Sequence, residues 1–333
     1  MGVTRFQMFA DLGLVHVVER VAVDAYKEVA EREWRSDFLE APHGQAWHTS
    51  FHASQFPGDD PMTCGRKAIY TLMNIPRPKP IDRAGKTVMS VGKAIEYEFV
   101  KTLADAGVLI SSHPDNPVQT GFTINDAWLT GNTDAVVLPH GWNRGHVIEV
   151  KTKDGDVVQA MRRGERGPDP EHIRQAKTYI GMAHAASAEL WPHLEPVTSG
   201  SIYYMSRNRP NMAAEFFYQM DEAMYQEGIV RLQEWKEDFL ADRLPRRPET
   251  WMWSESSCKY CQYKNMKLAS GEKAGCKEDV AREVVALPDS TTINFATDLN
   301  PDYDYDATKK AVTTRWTTPK ATRQRSRKTK QLP

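Results

Sequence analysis

The sequence has no long hydrophobic run. Nowhere do about 18 apolar residues stand together, so a membrane-spanning helix is not expected. The first residues lack a short apolar stretch with a cleavage site, so no secretory leader is expected. Charge of one sign is also missing: 43 Lys and Arg stand against 44 Asp and Glu, a formal net of -1. That balance does not advertise a polyanion partner, although a neutral total can hide a basic groove. Cysteine is scarce, with 4 in 333 residues. Without a leader, paired disulfides are the less favoured use of them. What remains is the composition of a soluble, cytoplasmic chain, long enough for one large domain or two.

The four cysteines are unevenly placed. Cys258 and Cys261 form a C-x-x-C pair, Cys276 follows, and Cys64 lies far upstream. A [4Fe–4S] cluster, a structural zinc site and unrelated thiols are all open readings of four such residues.

The most informative stretch is His146–Lys153, which reads as a strand. Residues two apart on a strand share a face, so Glu149 and Lys151 point together and Val150 points into a core. Trp128–Leu138 reads as a second strand, and the turn formers of 139–145 join the two. Such a hairpin brings Asp134 close to Glu149. Two carboxylates and a lysine in one place suit a hard divalent cation, which takes oxygen ligands. They also suit an ordinary cross-strand salt bridge.

Elsewhere, Leu14, Val18, Val21, Ala25 and Val29 recur at helical spacing, so residues 1–40 are expected as a helix. That helix either packs on the main domain or binds a partner. A helix is expected to open at about Thr63, with Cys64 and Arg66 on its first turn. Another should run from about Ser90 to Ala106, with Ile95, Phe99 and Leu103 apolar and Glu96 beside that face. Asp154–Gly155 and Arg162–Pro168 are expected as a flexible basic stretch, followed by a helix from Pro170 on which Gln175 and Tyr179 share a face. Ser199–Met205 and Ala213–Tyr218 alternate as strands, and Asp221–Ala241 is an amphipathic helix. From about 285 the chain segregates acid from base, ending in Lys309, Lys310, Arg315 and further cations. That end reads as a disordered tail with a non-specific attraction to DNA phosphates.

In chain order, these motifs are Gly92-x-x-x-Glu96, Gly131-x-x-Asp134, Glu149-x-Lys151 and Gln175-x-x-x-Tyr179, between one upstream and three downstream cysteines. The set resembles the RecB-like branch of the PD-(D/E)xK nucleases. Within it, the chain is most similar to the iron–sulfur exonucleases, which include the CRISPR-associated RecB-like exonucleases and the AddB nuclease domain. The resemblance covers roughly residues 50–280.

It implies an α/β restriction-endonuclease-like core, a central mixed sheet flanked by helices, with an iron–sulfur-clamped C-terminal segment. The divisions it suggests are an N-terminal helical segment (1–45), a nuclease domain (46–284) and the tail (285–333). Asp134, Glu149, Glu96 and the Val150 carbonyl would hold Mg²⁺ or Mn²⁺, and Lys151 would position the attacking water. Gln175, Tyr179 and Arg66 would contact DNA. Cys64, Cys258, Cys261 and Cys276 would hold a [4Fe–4S] cluster. The implied activity is metal-dependent exonuclease action on single-stranded DNA ends, 5′→3′, in recombination, replication or DNA processing. The competing class is a DNA-binding or partner-recruiting module with little or no nuclease activity.

Overall fold

The computed structural model describes residues 49–58, 63–73, 83–110, 120–209, 212–245, 291–292 and 305–317. The expected N-terminal helix of residues 1–40 and the segment with Cys258, Cys261 and Cys276 lie outside the described residues.

Two sheets organise the chain. The larger runs β4 (Ala135–Val137), β5 (His146–Lys153), β6 (Ser199–Ser206) and β7 (Ala213–Gln219), in that order. β5 and β6 pair in parallel, and the outer pairs are antiparallel, so the sheet is mixed. β6 is buried along its whole length, as expected of a strand covered on both faces. The smaller sheet has the order β1 (Phe51–His52), β3 (Leu129–Thr133), β2 (Thr120–Ile124). A two-residue pairing of β8 (Arg243–Leu244) with β9 (Thr291–Thr292) stands apart.

Helices cover the large sheet. α2 (Arg83–Asp105) follows the short α1 (Gly65–Leu72) and places Ile95, Phe99 and Leu103 on one face of it. There they meet Ile148, Val150 and Tyr203, so Val150 does point into a core. Phe99 stacks on Tyr203 with ring centroids 5.1 Å apart. α4 (Pro170–Leu190) lies on the opposite face, its Ile180 and Met182 packing with Val147. α5 (Glu222–Leu240) packs on α4 and α1, and Asp221 caps its first turn by accepting the Met224 N–H.

Three expectations need correction. Trp128–Leu138 is not one strand: it breaks at Asp134, β3 pairing in the small sheet and β4 in the large one. Gly155–Arg162, which takes in the ends of both pieces expected to be flexible, is helix α3, opened by Asp154 accepting the Asp156 N–H. Residues 305–317, within the tail expected to be disordered, form helix α6 (Tyr305–Thr317). This helix buries Val312 and stacks Trp316 on Trp128 at 6.1 Å. Trp316 Nε1 also donates to the Thr49 carbonyl at 2.5 Å. Lysines and arginines at 309, 310 and 315 dominated the composition and masked two apolar anchors one helical turn apart.

Candidate active site

The break between β3 and β4 builds the site. The chain leaves the small sheet at Thr133 and joins the large one at Ala135. Both side chains at the junction are tied to β5: Thr133 Oγ1 donates to the Ile148 carbonyl at 3.2 Å, and Asp134 Oδ2 accepts the Val150 N–H at 2.6 Å. The Asp134 carboxyl is therefore buried and fixed beside β5.

Glu149 is only 2% exposed. Its Oε1 accepts from Lys151 Nζ at 2.5 Å, across the shared strand face expected of residues two apart. Its Oε2 is buried with no hydrogen-bond partner. Glu96 stands half-buried on α2, close enough for its charge to act on Asp134, Glu149 and Lys151. Gly92, one turn earlier, explains that approach. A Cβ there would sit 3.1 Å from Thr152 Oγ1, so the absent side chain lets α2 lie close on β5.

The electrostatics are lopsided. Burial holds the Asp134 carboxyl well above its ordinary range, and the neighbouring Glu149 and Glu96 push it further. Burial likewise raises Glu149, against the pull of Lys151. For Lys151 burial alone would lower the pKa, but Glu149, Asp134 and Glu96 outweigh it and the ammonium is held above its usual range. Lys151 is the cation whose field offsets both Asp134 and Glu149. A buried carboxylate oxygen without a partner is costly, and hard divalent ions take such oxygens as ligands. The donor set fits such an ion.

α4 supplies the next wall. Tyr179 is 1% exposed and shares a hydrogen bond with the Gln175 side chain. Burial raises its phenol far above the ordinary value, and the fields of Glu149 and Asp134 add to that. Gly131 is what admits the ring: a Cβ there would lie 2.7 Å from Tyr179 Cε1 and 2.9 Å from the Ala53 Cβ. The glycine of G-x-x-D thus has a packing reason, separate from the acid three residues on.

Arg66 departs from its expected place on DNA. It is 3% exposed, and its Nε donates to the Pro245 carbonyl at 2.8 Å. Cys64 is buried at the N-cap position of α1, where its side chain makes no capping bond.

Sequence reasoning missed a second polar group beside the first. Lys153 continues the Glu149–Lys151 face by one more alternation and is ion-paired with Asp169 at the start of α4. Arg166 Nη2 holds the other Asp169 oxygen at 3.0 Å. His172 Nδ1 and the Tyr204 hydroxyl lie 2.7 Å apart, and Tyr204 is the β6 partner of Lys151 in the ladder. The signal was present in the period of two from Glu149 through Lys153, and in His172 lying one turn before Gln175. Among the described residues no helix is long and apolar enough to cross a membrane.

A model of the PD-(D/E)XK nuclease superfamily matches residues 10–266. No curated protein matches the chain. Among solved structures, the chain is similar to LHK-Exo, an alkaline exonuclease from Laribacter hongkongensis. The complex of LHK-Exo with dAMP matches with 15% identity and a TM-score of 0.38, covering 58% of this chain and 89% of that one. A second crystal structure of that exonuclease matches over the same shares, with a TM-score of 0.37.

Proposed function

Because this chain belongs to the PD-(D/E)XK nuclease superfamily, we propose that it is a metal-dependent deoxyribonuclease that shortens single-stranded DNA from its ends, in the 5′→3′ direction. The observation that carries this reading is the Glu149 carboxylate, buried with Oε2 unpartnered beside the raised carboxyl of Asp134. Among the described residues, Lys151 offsets only part of the charge on Asp134 and Glu149, and a divalent cation would take the open Glu149 oxygen.

In this reading Glu96, Asp134, Glu149 and the Val150 carbonyl hold Mg²⁺ or Mn²⁺. Such an ion, when bound, supplies a more acidic water and neutralises charge on the phosphate. The chain's own residues do the rest. Lys151, held by Glu149 at 2.5 Å, orients the attacking water and faces the charge that develops on the phosphate. The Val150 N–H holds Asp134 in line; the half-buried Gln175 faces the DNA, and the buried Tyr179 hydrogen-bonds it from behind.

The nuclease domain is taken as residues 46–284, with the N-terminal segment available to a partner. Cys64, Cys258, Cys261 and Cys276 are assigned to one [4Fe–4S] cluster. What supports this is the neighbourhood of Cys64. A Cβ on Gly65 would lie 2.8 Å from Pro245 Cβ, and Arg66 bonds the Pro245 carbonyl. The segment carrying the other three cysteines therefore leaves the described fold beside Cys64. A helix N-terminus also favours the thiolate that such a cluster requires.

The test is cleavage of end-labelled single-stranded DNA with Mg²⁺ or Mn²⁺, wild type beside Lys151→Ala. Metal-dependent shortening that the variant loses is the expected result, and the labelled end reports polarity. Cleavage by both proteins, or by neither, would overturn the assignment. Iron content and absorbance near 400 nm of anaerobically prepared protein test the cluster, and stoichiometric zinc would refute it.

A further inference from the structure

Asp169 sits in a setting built for an anion other than itself. It occupies the N-cap position of α4, where an aspartate ordinarily accepts a backbone N–H of the first turn. Here its side chain makes no capping bond. Both oxygens are turned away: Oδ2 to Lys153 Nζ, and Oδ1 to Arg166 Nη2 at 3.0 Å. His172 Nδ1 is a further 3.7 Å from Oδ2. A carboxylate is thus held by two cations, Lys153 and Arg166, with the His172 ring beside it, at the mouth of a helix N-terminus that favours negative charge.

The ring adjoins the metal-site candidates. Lys153 is the next residue after Lys151 on the same strand face, about 6.7 Å along β5. His172 and Tyr204 form its back wall. The Asp169 N–H donates to the Tyr204 hydroxyl at 3.2 Å, which leaves the hydroxyl proton for His172 Nδ1. Burial and the charges of Lys151 and Lys153 lower the His172 pKa to about 4. The neutral ring then keeps its N–H on Nε2, which lies 3.9 Å from Glu171 Oε1. Asp169, Glu171 and His172 each bring a ligand atom within 4.8 Å of the others. A metal would have to compete there with Lys153 and Arg166, so a cation is the wrong ligand for this place.

We infer that Lys153, Arg166 and His172 form a cradle for a phosphate of single-stranded DNA, one nucleotide from the scissile bond, and that Asp169 occupies it until DNA displaces it. This rests on the nuclease reading for its place in the reaction, but not for the binding. Lys153 is 26% and Asp169 20% exposed, so water and salt screen the pair and a phosphate can compete for it. A phosphate offers Lys153 and Arg166 the same charge-assisted bonds. Once released, the Asp169 side chain can turn back and cap α4. The carboxylate thus acts as a built-in competitor, and it sets how tightly the strand is held beside Lys151.

The experiment is fluorescence anisotropy of a labelled single-stranded oligonucleotide over a salt series, without divalent metal. Lys153→Met should reduce the slope of log affinity against log salt by about 0.7, the value for one phosphate contact on a single strand. Asp169→Asn should bind several-fold more tightly than wild type at fixed salt, and the double variant should lose that gain. Asn caps helices as well as Asp, so thermal melting should find Asp169→Asn folded; Asp169→Ser is the second variant if it is not. An Asp169 that only supports the fold would lower the melting temperature without tightening binding. A wild-type slope in Lys153→Met, or no gain in a folded Asp169 variant, overturns the inference. A lost slope in a protein that cleaves no DNA upholds the cradle and refutes the nuclease. Intact cleavage with an unchanged slope does the reverse.

Discussion

The Oδ2 atom of Asp134 accepts the Val150 N–H at 2.6 Å, so the carboxylate expected to hold metal also fastens the strand that carries its neighbours. The two duties separate by substitution. Asp134→Asn keeps an acceptor for Val150 and removes a charge, so cleavage should fall on the order of 10²-fold or more, the scale of losing one partner in a preorganised polar site. Asp134→Ala also strands a buried N–H, at about 1–3 kcal/mol. Denaturant unfolding should therefore find Asp134→Ala clearly less stable than Asp134→Asn. Equal stabilities would show that the hydrogen bond contributes nothing.

Gly131 gives a packing test remote from charge. A Cβ there meets Tyr179 Cε1 at 2.7 Å and Ala53 Cβ at 2.9 Å, both in closely packed surroundings. Gly131→Ala should destabilise by about 1–3 kcal/mol, as overpacking does, and should displace Tyr179 from the carboxylates. Gly167 has nothing within 4 Å and no positive φ, so Gly167→Ala is the control. It should stay within about 0.5 kcal/mol of wild type. Urea midpoints of the two variants decide the matter.

The order of elements was legible because hydrophobic period carries it. β5, β6, β7 and α5 lie within a residue or so of where alternation or helical spacing placed them, and α4 starts at Pro170 as expected, while α2 begins at Arg83 rather than at about Ser90. The pairing of Glu149 with Lys151 followed from strand geometry alone. The switch of sheets at Asp134 did not, because no glycine or proline marks a break at Thr133–Ala135 and only long-range pairing divides the two strands. Arg66 was assigned to DNA through the resemblance alone. Its burial depends on the Pro245 carbonyl, 179 residues away in sequence. Asp169 and Lys153 were passed over because each is ordinary alone, and only the fold brings them together.

Helix α6 can be weighed against the reading of the tail as disordered. Val312 is fully buried in the main core, and Trp316 packs on Trp128. Val312→Ala should cost about 2 kcal/mol, by loss of transfer free energy and the cavity left behind. Ending the chain at residue 304 should cost more than that. A truncated protein with an unchanged melting temperature would exclude α6 from the fold.

His146 offers a pH prediction outside the site. Its ring is buried between Ser199 and Ser201, each 2.9 Å away, and stacks on Phe217. Burial lowers its pKa from 6.5 to about 3. A base whose folded pKa is depressed gives full stability above its unfolded pKa, and that stability is lost as pH falls below it. Stability should therefore decline between about pH 6.5 and 3, by up to about 1.4 kcal/mol per unit from this group. Glu215, bonded to Ser201, has its pKa raised by burial and opposes the trend as it takes up a proton. His146→Gln keeps a polar partner for the serines and removes the titration. Its stability should fall less steeply than wild type over that range, and a parallel decline would assign the acid sensitivity elsewhere.

Lys151 supplies the sharpest separation of binding from chemistry. In the protein as it stands, its ammonium is the cation that the Glu149 carboxylate possesses. A divalent ion must share that carboxylate with Lys151, and the two positive charges repel. Lys151→Ala removes the competitor and leaves Asp134, Glu149 and Glu96 in place, so Mn²⁺ should bind at least as tightly as in wild type. Cleavage should nevertheless be lost, because nothing then orients the water or meets the charge on the phosphate. Isothermal titration with Mn²⁺ beside the cleavage assay reads both quantities on one sample. Mn²⁺ affinity lost together with activity would mean that Lys151 supports the geometry of the acids, and its role would then be structural. Affinity retained or raised while turnover vanishes would place it among the groups that act on the substrate.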